Sequence, residues 1–116
     1  MNPEDVRNIA GQVCYLTELV GKTWEFDAKT YPELATLSGE ERDRFVLNHV
    51  LLHLLKSMGK IATALEAAEH GKPFDQKMVQ EVAWKLLVNA LQVANISNMT
   101  PQQVAEDLAK WIESKE

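Results

Sequence analysis

From Phe45 to His70 the chain runs FVLNHVLLHLLKSMGKIATALEAAEH, apolar on nearly every side of a helix except one narrow stripe. At about 100° per residue, His49, His53, Lys56, Lys60 and Thr63 fall within a sector about 80° wide. Val46, Val50, Leu51, Leu54, Leu55, Met58, Ile61 and Leu65 cover most of the rest. Such a pattern predicts one long central helix, its basic stripe turned to solvent, a partner or a ligand. Ser38 followed by Glu41 reads as a capping box at its start, and Gly71 with Pro73 as its stop. Gly59 in the interior costs up to about 1 kcal/mol relative to alanine. It marks either a close approach of another helix or a break in this one.

Three further helices are expected. Asn2, Pro3 and Asp5 open the first, and Val6, Ile9, Val13, Leu16 and Val20 step along one face, with an end at Gly21 or Trp24. Residues Glu25 to Leu37 show neither helical nor strand period and contain Tyr31-Pro32, so they read as a connection packed by Phe26 and Tyr31. Asp75 caps a helix running to about Asn95. Its core face is expected to be Val79, Val82, Ala83, Leu86, Leu87, Ala90, Val93 and Ala94, with Trp84, Val88 and Leu91 as a second contact surface. Thr100-Pro101-Gln102-Gln103 repeats the cap grammar before a stripe of Val104, Leu108, Trp111 and Ile112. No segment reads as a strand, so the expectation over residues 1–116 is a single all-α domain, a four-helix bundle.

Composition narrows the classes. With 46% hydrophobic residues in 116, a real core is affordable, and a chain this helical often completes its burial by forming a homodimer. A net charge of −5 without any basic run argues against nucleic acid and anionic membrane as partners. The acidic opening MNPEDVRN is unlike a signal peptide, and a cytoplasmic protein is expected. Cys14, the single cysteine, reads as an inert thiol in the first helix. No nucleophile–base constellation and no glycine-rich phosphate loop occur.

KSMGKIATALEAAEHGK resembles the second-helix signature of the MazG-like all-α nucleoside triphosphate pyrophosphohydrolases, commonly EExGELxEA. EVAWKLLVNALQVANISNMTPQQVAEDLAKW is similar to their next signature, ELADVLIYLLxLAxxLGIDLEEAxxxKL, at a separation within the family's range. The resemblance covers roughly residues 45 to 112. It implies an all-α dimer-forming fold and a carboxylate-bound Mg²⁺ that neutralises a triphosphate and helps generate hydroxide. Carried over by position, Lys56 and Ser57 replace the paired glutamates and Lys60 replaces the glutamate after the matching Gly59. Glu81 stands as the family has it, but Trp84 occupies the aspartate position. Two ammonium groups there would each repel Mg²⁺ by about 4 kcal/mol per unit of its double charge, at roughly 4 Å and an effective dielectric near 20. The resemblance thus implies a dismantled metal site: no catalytic residues, no metal, no cofactor.

The expected site is then His53, Lys56, Ser57, Lys60, Glu81 and Trp84, binding an anionic small molecule or nucleotide through ammonium groups in place of metal. The simpler reading is a solvated stripe, with Lys56 or Lys60 pairing with Glu81 across the bundle. His49 and His53, one turn apart, have spacing suited to a transition metal but read first as ordinary polar residues, as does His70 at its helix end. An alternative is an active pyrophosphohydrolase with an altered metal site built from Glu81 with Glu66 and Glu69.

Overall fold

A computed structural model describes residues 2–115. Its elements are α1 (Pro3–Thr23), a short 3₁₀ turn (Pro32–Ala35), α2 (Gly39–Glu69), α3 (Gln76–Ile96) and α4 (Pro101–Ser114), with no strand among the described residues. The protein is all-α. None of these helices is long and apolar enough to cross a membrane.

The helix ends follow from local chemistry. Asn2 Oδ1 accepts the Asp5 amide at 2.8 Å, and Asp75 Oδ1 accepts that of Met78 at 3.1 Å. At Thr100 the full reciprocal box forms: the Gln103 amide donates to Thr100 Oγ1 at 3.1 Å, and the Thr100 amide to Gln103 Oε1 at 2.8 Å. The box expected at Ser38 does not form, and its side chain makes no cap hydrogen bond. Gly39 enters α2 at φ +56°, a left-handed turn that carries the Ser38 hydroxyl away from the first amides. At the other end of α2, the Gly71 amide donates to Ala68 O and that of Lys72 to Ala67 O, both at 3.1 Å, around Gly71 at φ +84°. That is a Schellman cap. Asn98, at φ +65°, closes α3 in the same way, with the Met99 amide donating to Ala94 O.

Helix α2 is continuous through Gly59, 31 residues or about 46 Å long. An added Cβ at Gly59 would meet nothing within 4 Å, so no neighbouring helix uses that glycine. The close approach occurs elsewhere. A Cβ on Gly21, which lies inside α1, would fall 3.2 Å from Asn95 Nδ2, and that amide donates to Thr17 O at 3.2 Å. Thr17 itself is fully buried, its hydroxyl returned to Val13 O at 2.7 Å. Together these groups fix α1 against the C-terminal half of α3.

The principal pairings are α2 with α3, α3 with α1, and α1 with α4. The order is thus α2–α3–α1–α4, with α3 and α1 inside and α2 at one edge, where the sequence pattern points to α2 as the central helix. The layer measures 48 × 47 × 21 Å with a radius of gyration of 17.4 Å. A compact chain of this length would have about 13 Å. Only one face of α2 is sealed, by Val46, Val50, Ser57 and Ala64. Leu51, Leu52, Leu55, Met58 and Leu65 remain about half exposed, and on α3 Leu87 is 52% exposed and Ala83 and Ala90 are exposed rather than core. Among the described residues the buried apolar side chains are Val20, Leu34, Val46, Val50, Ala64, Val82, Leu91 and Ala105. None is aromatic.

Candidate functional site

The lysine stripe of α2 forms one wall of a cleft of about 450 Å³. His53, Lys56, Ser57 and Lys60 line it from α2, and Trp84, Lys85, Val88, Asn89 and Gln92 from α3. The third wall is the end of α1 and the connection after it, supplying Trp24, Glu25, Phe26, Thr30 and Tyr31. A spacing of four residues aligns Lys56 with Lys60, and the antiparallel return of α3 brings Lys85 to the same cleft.

Five of the six residues read from the sequence line this cleft; Glu81 does not. Its carboxylate reaches Lys85 Nζ at 3.3 Å, one turn along the same helix, instead of Lys56 or Lys60 across the hairpin. An i,i+4 partner needs no tertiary approach, which is why it wins. Lys85 also lies 5.6 Å from the Trp84 ring centroid, a cation–π distance. Ser57 is buried at 9% exposure between the helices and presents little more than its edge. Trp84 is 55% exposed, Val88 half-buried and Leu91 buried, so the second contact surface expected of this trio is split between cleft and core.

The aromatic wall is organised by stacking. Phe26 and Tyr31 stack with centroids 5.2 Å apart, and the His49 ring packs 4.7 Å from Tyr31 and 4.8 Å from Phe45. His49 is thereby drawn into this cluster, and only His53 of the pair lines the cleft. The connection is tied to α2 by Arg42, whose guanidinium donates to Phe26 O at 2.9 Å. Within it, the Thr30 amide donates to Asp27 Oδ1 at 2.9 Å and holds that exposed carboxyl below the ordinary aspartate range. Sequence reasoning missed Lys85, Trp24 and the connection's contribution, because these converge only in three dimensions.

Glu66 and Glu69 are exposed near the far end of α2 and do not line the cleft. No group of three or more His, Cys, Asp or Glu side chains suited to a metal ion occurs among the described residues. Three lysines and a histidine face a single carboxylate, Glu25, in a chain whose net charge is −5. Chemically, such a cleft can take an anion against its ammonium groups and a planar ring against its aromatic wall. Compared with protein-family models, with curated proteins and with solved structures, the chain matches none.

Proposed function

We propose that this protein is a non-catalytic, cytoplasmic binding module of MazG-like descent whose cleft takes a nucleotide-like anion without a metal. The observation that carries this reading is the convergence of Lys56, Lys60 and Lys85 with Trp24, Tyr31 and Trp84 around one cleft. Ammonium groups neutralise phosphate directly, as point charges with three donors each. Indole and phenol faces hold a base by stacking, at about 1–3 kcal/mol per base in open single-strand sites. Lys56 and Lys60 stand at positions where the family that the sequence resembles keeps metal-binding glutamates, which supports a retained ligand class with hydrolysis lost.

The test is a thermal-shift and calorimetric titration with nucleoside mono-, di- and triphosphates, in EDTA and in Mg²⁺, beside a hydrolysis assay. Stabilisation in EDTA that weakens with added salt and falls in Lys56→Ala and Lys60→Ala is expected. Robust Mg²⁺- or Mn²⁺-dependent turnover that disappears in Glu81→Ala would overturn the proposal in favour of an active pyrophosphohydrolase.

A further inference from the structure

We infer that a second cavity, where the first turns of α2 meet the C-terminal ends of α1 and α3, binds a free α-amino acid with an apolar side chain. The cavity encloses about 340 Å³, at the small end of ligand pockets. It adjoins the lysine cleft and shares Trp24, Glu25, Phe26 and Gln92 with it, but its charges are of another kind. Among the described residues no lysine lines it. Its half-buried charges are one guanidinium, Arg42, and one carboxylate, Asp43. The inference concerns a different cavity from the proposed nucleotide cleft and does not depend on that reading.

Consecutive helical residues diverge by about 100°, so Val46, one turn on, falls between Arg42 and Asp43. The two charges therefore stand on either side of an apolar floor, where Val46 and Val20 are both buried. Among the described residues neither charge has an ion-pair partner, the other included. Arg42 Nη2 donates to Phe26 O at 2.9 Å, which fixes the guanidinium without neutralising it and leaves further N–H groups for a ligand. Half-buried opposite charges held apart are costly until something pairs with both. An α-amino acid does so with one molecule, its carboxylate on Arg42 and its ammonium on Asp43. Asn95 also lines the cavity, and because its Nδ2 is committed to Thr17 O, its Oδ1 is left to accept from the same ammonium. The apolar side chain is then left to Ile96 and the Trp24 indole. Simpler ions fit worse. Phosphate, suited to the lysine cleft, would meet Asp43 and Glu25 here, and a bare amine would meet Arg42.

Calorimetric titration of the full chain with L-leucine, L-methionine and L-phenylalanine tests this, beside isoamylamine, 4-methylpentanoate, glucose and inorganic phosphate. Saturable binding of at least one of the three amino acids is expected at micromolar to millimolar concentration. Isoamylamine and 4-methylpentanoate, each lacking one of leucine's charges, should bind roughly tenfold or more weakly than the amino acid. Asp43→Asn keeps the shape of the site and should weaken amino-acid binding by about the same factor. Arg42→Met should do likewise, with far-UV circular dichroism reporting whether the loss of the Phe26 tie disturbs the fold. Lys56→Ala combined with Lys60→Ala should leave amino-acid affinity within about twofold, since those charges belong to the other cavity. A chain that binds no nucleotide but still takes an amino acid would sink the nucleotide reading alone. No saturation by any of the three amino acids, equal affinity for a single-charge analogue, indifference to Asp43→Asn, or loss of binding in the lysine double variant would each overturn the inference. So would glucose or phosphate binding that Asp43→Asn abolishes.

Discussion

Gly59 and Gly21 provide a matched pair of substitutions with opposite expected signs. Both lie inside helices, so alanine at either gains helix propensity, about 0.8–1 kcal/mol at an interior position. At Gly59 nothing in the chain lies within 4 Å of the new methyl group, and the gain should appear undiminished. At roughly 2.1 cal/mol/K per residue, a chain of 116 residues has an unfolding entropy of about 0.24 kcal/mol/K, so Tm should rise by about 3–4 °C. At Gly21 the methyl group would stand 3.2 Å from Asn95 Nδ2, which is anchored to Thr17 O. Relief means lengthening that hydrogen bond, worth about 0.5–1.5 kcal/mol, or parting α1 from α3. Gly21→Ala should therefore fall at least about 1 kcal/mol short of Gly59→Ala, with a Tm at or below that of the wild type. Thermal and urea unfolding followed by far-UV circular dichroism at one protein concentration measures both. Equal stabilisation by the two would refute the close packing at Asn95. Destabilisation by Gly59→Ala would refute the open space over that stretch of α2.

Thr100→Ala removes the hydroxyl half of the reciprocal cap on α4, leaving the backbone amide of residue 100 to donate to Gln103, and should cost about 1 kcal/mol in urea unfolding, whereas Ser38→Ala, whose hydroxyl caps nothing, should be close to neutral. The Asp27 carboxyl should titrate below a reference aspartate in an NMR pH series. Because its folded value is depressed, its contribution is complete above the unfolded aspartate pKa and is lost as pH falls through the lowered folded value; Thr30→Pro, which deletes the donor amide, should bring the midpoint back up. Glu81→Gln releases Lys85 from its 3.3 Å ion pair and should tighten nucleotide or phosphate binding by roughly two- to fivefold in calorimetry, the reverse of what a metal-binding glutamate would do.

The features legible in the sequence were those decided within a few residues. The caps at Asn2, Asp75 and Thr100 and the glycine stop at Gly71 depend on dihedral preference and hydrogen bonds three to five residues apart, and four of the expected helices follow. Periodicity, by contrast, shows that a face is apolar without showing what covers it. Leu51, Met58 and Leu87 have the spacing of core residues yet stand about half exposed, because α2 packs on one side only. Thr17 is polar and fully buried, since its hydroxyl finds an acceptor one turn back in its own helix. Lys56 and Lys60 declared themselves by their spacing, whereas Lys85, Trp24 and Tyr31 come to the cleft from segments far apart in the chain. Glu81 departs from its expected place for the complementary reason. A partner one turn away in the same helix outcompeted a more distant one.

All three indoles sit outside the sealed interior: Trp24, Trp84 and Trp111 are 49%, 55% and 59% exposed. Native emission should already be that of wet tryptophan, so denaturation will shift its wavelength little. Quenching and anisotropy would instead register events at the molecular boundary, where Trp24 and Trp84 flank the cleft. Fluorescence in this protein is an instrument for watching what arrives, and poorly suited to watching the chain come apart.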